Sequence, residues 1–95
     1  MNLEQFIVES IKVSRAQGYN PTTFLRMCRD HGTAEAIRRL VEGPDIQSGF
    51  VRMKELGLLD WSLEAAVIKF PNEFSASTLE CAKFRLKMAR EGLQV

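Results

Sequence analysis

Apolar residues recur at helical spacing along most of the chain. Three stripes at i, i+3 and i+4 spacing are formed by Leu3, Phe6, Ile7 and Ile11, by Ile37, Leu40 and Val41, and by Leu79, Ala82 and Leu86. Alternation with a period of two, which is typical of half-buried strands, is almost absent. The pattern therefore predicts helices throughout the chain.

Signals for helix ends divide this pattern into about six short helices. Starts are expected at Asn2, at Asn20 before Pro21, at Thr33, at Asp45, at Asp60 or Ser62, and at a capping box formed by Ser77 and Glu80. Ends are expected at Gly18, Gly32, Gly43, Gly57, Pro71 and Gly92. Because connections of about two to six residues favour packing between neighbouring helices, we expect an all-α fold, a compact orthogonal array forming one domain over residues 1–95.

Composition restricts where such a domain can act. Apolar residues make up 45% and charged residues 26% of the 95 residues, which is ordinary for a folded protein. The only cysteines, Cys28 and Cys81, are expected as buried thiols, which suits a reducing compartment. The first ten residues carry Glu4 and Glu9 and lack the features of a signal peptide, and no apolar stretch could span a bilayer. We therefore expect a cytoplasmic protein without membrane contact.

No motif indicates catalysis, a cofactor or a metal ion. His31 is the only histidine, and no Gly-x-Ser-x-Gly sequence provides a nucleophile. Cys28 and His31 stand at i,i+3, but a second pair of ligands is missing nearby. The glycines are scattered and form no phosphate-binding loop. Asp45, Asp60 and Glu64 are explained as acids at helix starts. The sequence thus predicts a non-enzymatic protein with no cofactor and no evident small-molecule substrate.

The last predicted helix carries a basic stripe. Lys83, Lys87 and Arg90 follow one another at i, i+4 and i+7, Arg85 is expected on the flank of the stripe, and Arg38 and Arg39 could extend it. The formal net charge is only +1, so any attraction for polyanions must come from this local patch. Exposed aromatic residues are not expected among the basic ones. A solvated amphipathic face is the alternative interpretation.

Two aromatic residues, Tyr19 and Trp61, stand at predicted joints between loops and helices. An exposed ring there would be an anchor for a partner protein, whereas a hydrophobic staple or core packing is the alternative. Helix four, Gly57 and helix five could also form a helix-turn-helix. Its second helix would turn Ser62, Glu64 and Lys69 outward, a poor surface for phosphates.

Five short runs of the sequence follow one another in a recognisable order: NPTTFL at 20–25, GTAEAIRRLV at 32–41, SGF at 48–50, ELGLLD at 55–60 and LEAAVI at 63–68. In this order the chain resembles, over about residues 18–90, a widespread family of small uncharacterised bacterial helical modules. Thr33 replaces one glycine of a usual pair, and Trp61 stands where a small or aliphatic residue is commoner. The resemblance implies a helical fold and transfers neither an activity nor a site.

The leading functional hypothesis is a protein-interaction or regulatory module. It would bind another protein or itself through an aromatic and apolar patch with a basic rim, and the candidate residues are Tyr19, Trp61, Lys83, Arg85, Lys87 and Arg90. The alternative is a nucleic-acid-associated protein whose basic last helix contacts phosphates. An enzyme or a small-ligand binder is the third hypothesis, and no motif supports it.

Overall fold

Six α-helices and two short 3₁₀ turns make up the ordered elements of the computed structural model, which describes residues 1–44 and 48–92. The helices are α1 (Leu3–Ala16), α2 (Thr22–His31), α3 (Thr33–Glu42), α4 (Ser48–Glu55), α5 (Leu63–Lys69) and α6 (Ala76–Arg90), and the turns are Leu59–Trp61 and Pro71–Glu73. These two ranges of the chain contain no strand, and their extents are 32 × 32 × 25 Å. The prediction of a compact all-α fold is confirmed.

The core lies where α3, α5 and α6 meet, with α1 and α2 packed against it. The predicted stripes point inward: Phe6, Ile37 and Ala82 are all buried. Ala66 on α5 and Ala82 on α6 are fully buried. Small side chains at these positions let the two helices approach closely, because interiors are packed to near-crystalline density. Cys28 and Cys81 are free, partly buried thiols, and burial raises the pKa of Cys28.

Several predicted helix ends are confirmed in detail. Asn2 begins α1 with a capping box, in which its Oδ1 accepts from the Gln5 backbone N–H at 2.9 Å and the Gln5 Oε1 accepts from the Asn2 N–H at 2.9 Å. Of the two candidates for α5, Ser62 is the cap, and its Oγ accepts from the Ala65 N–H at 3.1 Å. Gly32 follows α2 at a φ of +86°, a conformation that favours glycine.

Two predicted caps are wrong because the chain uses their side chains elsewhere. Helix α2 begins after Pro21, and the Asn20 Oδ1 accepts a hydrogen bond from the Arg15 Nε at 3.1 Å instead of capping. Gly32 occupies the cap position of α3, and the Thr33 hydroxyl donates to the Glu4 carboxylate at 3.3 Å. The predicted start at Asp45 lies outside the described residues.

The capping box predicted at Ser77 is also wrong, since the cap of α6 lies two residues earlier in the chain. Ser75 is the cap, and its Oγ accepts from the Thr78 N–H at 3.3 Å. The buried Thr78 hydroxyl donates to the Glu42 carboxylate and thereby joins the start of α6 to the end of α3. This tertiary contact fixes Thr78 as the third residue of the helix.

An ion pair in the interior holds three helices together. Arg85 on α6 is only 6% exposed, and its Nη1 lies 3.5 Å from Oε2 of the fully buried Glu64 on α5. The guanidinium also donates to the Leu40 carbonyl at 2.9 Å and to the Gly43 carbonyl at 2.7 Å, at the end of α3. The expectation that Arg85 lies on the exposed flank of the basic stripe is therefore wrong. Its partners satisfy a charge that would be costly to bury alone.

We expect Arg85→Met to lower the free energy of unfolding by about 3 to 5 kcal/mol, because it leaves the Glu64 carboxylate buried without its cation. The double variant Glu64→Leu/Arg85→Met should recover more than half of that loss, since it removes both charges. Urea denaturation of both variants and the unchanged protein measures the difference. A double variant no more stable than the single one would contradict the role given to the pair.

The position of the α6 cap predicts a contrast between two nearby serines. Ser75→Ala should cost about 1 kcal/mol of unfolding free energy, because the Thr78 N–H loses its acceptor. Ser77→Ala is the matched control and should cost less than about 0.5 kcal/mol, since Ser77 is exposed and its hydroxyl makes only a long surface hydrogen bond of 3.4 Å to the Glu42 Oε1. Thermal denaturation of both variants checks this order, and equal losses would refute it.

Candidate functional site

The structure separates the six candidate residues into three places. Lys83, Lys87 and Arg90 line a surface groove between α5 and α6, and Tyr19 and Trp61 line a cavity on another side of α5. Arg85 lies in the interior and cannot contact a partner at the surface. The two aromatic residues and the basic stripe therefore do not form one patch.

The groove, here named the α5–α6 groove, has an apolar floor and a charged rim. Phe6, Ala65 and Leu86 contribute to its floor. Ile68, which also lines the groove, exposes 39% of its surface. The charged residues of its lining are Asp60, Lys69, Lys83, Lys87 and Arg90.

Two of the four cations in the α5–α6 groove are balanced by nearby acids. The Arg90 Nη2 lies 2.7 Å from the Asp60 Oδ1, and the Lys83 Nζ lies 3.8 Å from the Glu80 Oε1. The ion pairs formed among residues 1–44 and 48–92 include neither Lys69 nor Lys87. The rim therefore carries excess positive charge beside exposed apolar surface.

An aromatic side chain stands next to the groove, contrary to expectation. Phe84 on α6 is 62% exposed, between Lys83 and Lys87 in sequence. The expectation that no exposed aromatic residue accompanies the basic ones is therefore wrong. Helical spacing indicates that Phe84 is exposed, because it lies four residues after the exposed Glu80 and three before the exposed Lys87, and residues at these spacings share a helix face.

Arg38 and Arg39 do not extend the groove's positive surface, because both pair with Glu35 on their own helix. The Glu35 carboxylate lies 2.6 Å from the Arg38 Nη2 and 2.9 Å from the Arg39 Nε. Hydrogen bonds from these two guanidinium groups lower the pKa of Glu35 to about 2. Arg38 has a second acidic neighbour on the same helix, since its Nη1 lies 3.9 Å from the Glu42 Oε2.

The cavity has a volume of about 220 Å³ and lies among α1, α2, α4 and the start of α5. Trp61 forms part of its wall and stacks on Phe6, with ring centroids 5.1 Å apart. Its ring is half-buried, as is that of Tyr19. Trp61 fits the interpretation as a core-packing residue better than the interpretation as an exposed anchor, because Phe6 covers one face of its ring.

Glu64 contributes a carboxylate to the lining of the cavity. Its Oε2 contacts Arg85, whereas its Oε1 is buried and has no hydrogen-bond partner among the described residues. Burial raises the pKa of Glu64, opposed by hydrogen bonding to its own backbone and by Arg85. The helix-turn-helix interpretation, which turned Ser62 and Glu64 outward, is wrong, since both side chains are buried. Sequence reasoning assigned Glu64 to a helix start and did not identify the site.

The described ranges contain no group of three or more His, Cys, Asp or Glu side chains arranged to hold a metal ion. None of the helices in these ranges is both long and apolar enough to cross a membrane. Asp60 is paired with Arg90, and His31 lies 3.4 Å from the Arg39 guanidinium through its Nε2.

No protein-family model, curated protein or solved structure matches the chain. The resemblance to the bacterial helical modules accordingly stays a prediction. The functional argument rests on the geometry of the α5–α6 groove and of the cavity.

The buried Glu64 predicts a specific dependence of stability on pH. A carboxyl whose pKa is higher in the folded than in the unfolded protein takes up a proton on folding, so acid favours the folded state over that interval. The quantity to measure is the unfolding free energy of the unchanged protein minus that of the Glu64→Gln variant. This difference should rise as the pH falls from neutral towards 4.5, which is the ordinary pKa of a glutamate side chain. Urea denaturation at a series of pH values measures this difference. A difference that is constant or falls with acid would contradict the prediction.

Proposed function

We propose that the protein is a non-enzymatic interaction module that binds an acidic, partly apolar segment of another protein in the α5–α6 groove. The observation that carries the proposal is the juxtaposition of exposed Ile68 with Lys69 and Lys87, which lack acidic partners among the described residues. We further propose that the module acts in the cytoplasm, which the free thiols of Cys28 and Cys81 support.

The charge of the groove lining favours an acidic partner segment. The groove lining holds four cations, Lys69, Lys83, Lys87 and Arg90, against the single acid Asp60. Carboxylates of a partner can pair with Lys69 and Lys87 without displacing an existing ion pair, and such rim charges mainly speed association and suppress wrong partners. Affinity must then come from apolar contact, for which Ile68 in the groove lining and Phe84 on α6 are exposed.

A protein partner is favoured over a nucleic acid for two reasons. Arg85 is buried, Arg90 is engaged by Asp60 and Lys83 lies 3.8 Å from Glu80, so three of the four cations expected to contact phosphates already have partners within the protein. The formal net charge of +1 adds no general attraction for a polyanion. Binding of a nucleic acid remains a measurable alternative, because Phe84 offers a ring for base stacking.

A designed peptide tests the groove. The probe is a short helical peptide with leucine at i, i+3, i+4 and i+7 and glutamate at its remaining exposed positions. We expect it to bind, with amide chemical-shift changes concentrated at Ile68, Lys69, Lys87 and their neighbours. The Lys69→Glu/Lys87→Glu double variant should weaken its binding by more than about tenfold, because like charges would then face each other.

Three controls make the experiment decisive. Arg26→Glu reverses the charge of one exposed residue on α2, as each groove substitution does in the groove, and it should leave peptide binding unchanged. A peptide with lysine in place of glutamate should not bind. The proposal would be overturned in favour of a nucleic-acid partner if single-stranded DNA or RNA bound more strongly than the acidic peptide. That binding would have to weaken steeply as salt rises and be lost in the Lys69→Glu/Lys87→Glu variant.

A further inference from the structure

One face of α6 is exposed along the whole helix, and it is here named the Phe84 face. Its members stand alternately three and four residues apart, and all of them are exposed: Ser77, Glu80, Phe84, Lys87 and Glu91. Phe84 is 62% exposed, more than any other large apolar side chain in residues 2–44 and 48–92. Side chains at this alternating spacing form one seam along a helix, which is the arrangement through which two helices pair.

Charges of opposite sign flank the exposed ring. Glu80 lies about 6 Å before Phe84 along the helix axis and Lys87 about 4.5 Å after it, since an α-helix rises about 1.5 Å per residue. The two charges are therefore at nearly equal distances from the ring, one on each side. This pattern is self-complementary, because a two-fold axis through Phe84 and perpendicular to α6 places each Glu80 beside the Lys87 of the other copy.

The same charges select the relative direction of two paired copies. In an antiparallel pair of α6 helices, Glu80 of each copy faces Lys87 of the other, so two attractive contacts form. In a parallel pair, each glutamate would face a glutamate and each lysine a lysine, and such like-charge contacts are unfavourable. The antiparallel pair also stacks Phe84 on Phe84 at its centre, where an aromatic contact adds to the burial of apolar surface.

Both flanking charges are available to a second copy. Lys87 is exposed, and none of the ion pairs formed among residues 1–44 and 48–92 includes it. The Glu80 Oε1 lies 3.8 Å from the Lys83 Nζ, and the two side chains are 75% and 54% exposed. An exposed pair at this distance contributes little to stability. Glu80 can therefore turn to the second copy's lysine at little cost.

We propose that the protein forms a two-fold symmetric dimer in which the Phe84 faces of two copies pack antiparallel. Phe84 of one copy contacts Phe84 of the other, and the Glu80 carboxylate of each copy pairs with the Lys87 ammonium group of the other. The dimer does not rest on the proposed acidic partner. Lys87 borders both surfaces, however, so an acidic segment in the α5–α6 groove competes with the second copy for this cation.

Sedimentation equilibrium of the unchanged protein, without any peptide, tests for the dimer. The concentration range extends from about 10 μM to about 1 mM, because an interface made by one helix from each copy is small and small interfaces are weak. We expect a monomer–dimer equilibrium with a dissociation constant below about 1 mM. Phe84→Ala should weaken the dimer by more than about tenfold, since it removes the central apolar contact. Val8→Ala, which shortens a 50% exposed side chain on α1, is the matched control and should leave the equilibrium unchanged.

A charge exchange assigns the contact to Glu80 and Lys87. Glu80→Lys and Lys87→Glu should each weaken the dimer by more than about tenfold, because symmetry repeats every like-charge contact twice. The double variant Glu80→Lys/Lys87→Glu should bind itself within about threefold of the unchanged protein, since both attractive pairs are restored with their signs exchanged. Glu73→Lys, the same charge reversal at another exposed acid, should have no effect. All the substituted side chains are exposed, so the variants should fold.

Three results would overturn the proposal. A protein that stays monomeric up to about 1 mM forms no such dimer. A dimer that is insensitive to Phe84→Ala and to Glu80→Lys uses another surface. A double variant as weak as the two single ones would show that Glu80 and Lys87 do not meet across the interface. Glu80 is not part of the lining of the α5–α6 groove. A dimer weakened by Glu80→Lys can therefore be found whether or not the acidic peptide binds, and the two proposals fail separately.

Discussion

The ion pair between Arg85 and Glu64 is the constraint on which the arrangement of the helices depends. Both side chains are buried, so each charge needs the other and the remaining guanidinium protons need acceptors. Those acceptors are the carbonyls of Leu40 and Gly43, at the end of α3, where a helix leaves its last carbonyls without partners. One guanidinium thereby fixes α6 against α5 and caps α3. Thr78 and Glu42 add a second link between α6 and α3.

Helix α5 places the two candidate sites back to back. Its residues Leu63 and Glu64 line the cavity, and its residues Ala65, Ile68 and Lys69 line the α5–α6 groove. A helix of only seven residues has little stability of its own, so its position comes from packing and from the Glu64 contact with Arg85. Both sites therefore depend on the same interior charge pair, although their exposed chemistry differs.

Sequence reasoning succeeded where the physical signal is local and failed where it is not. The cap at Asn2 and the helix end at Gly32 involve residues within one helical turn, and both were predicted. Arg85 finds Glu64 21 residues away and Leu40 45 residues away, and no spacing along the chain indicates such a pair. Spacing did place Arg85 three residues after the buried Ala82, so its inward orientation could have been expected. Three of the groove's basic residues, Lys83, Lys87 and Arg90, were identified, but Lys69, the exposed Phe84 on α6 and the cavity were not.

The incomplete hydrogen bonding of Glu64 argues that the ion pair serves more than stability. Replacing a buried ion pair by apolar residues of similar volume is often neutral or stabilising. The arrangement here also leaves Oε1 without a partner among the described residues, at a cost of about 1 to 3 kcal/mol. For a domain whose total stability is of the order of 5 to 15 kcal/mol, that cost is large. The pair therefore fixes α6 against α5 and the end of α3 at a cost in stability that a wholly apolar contact would avoid.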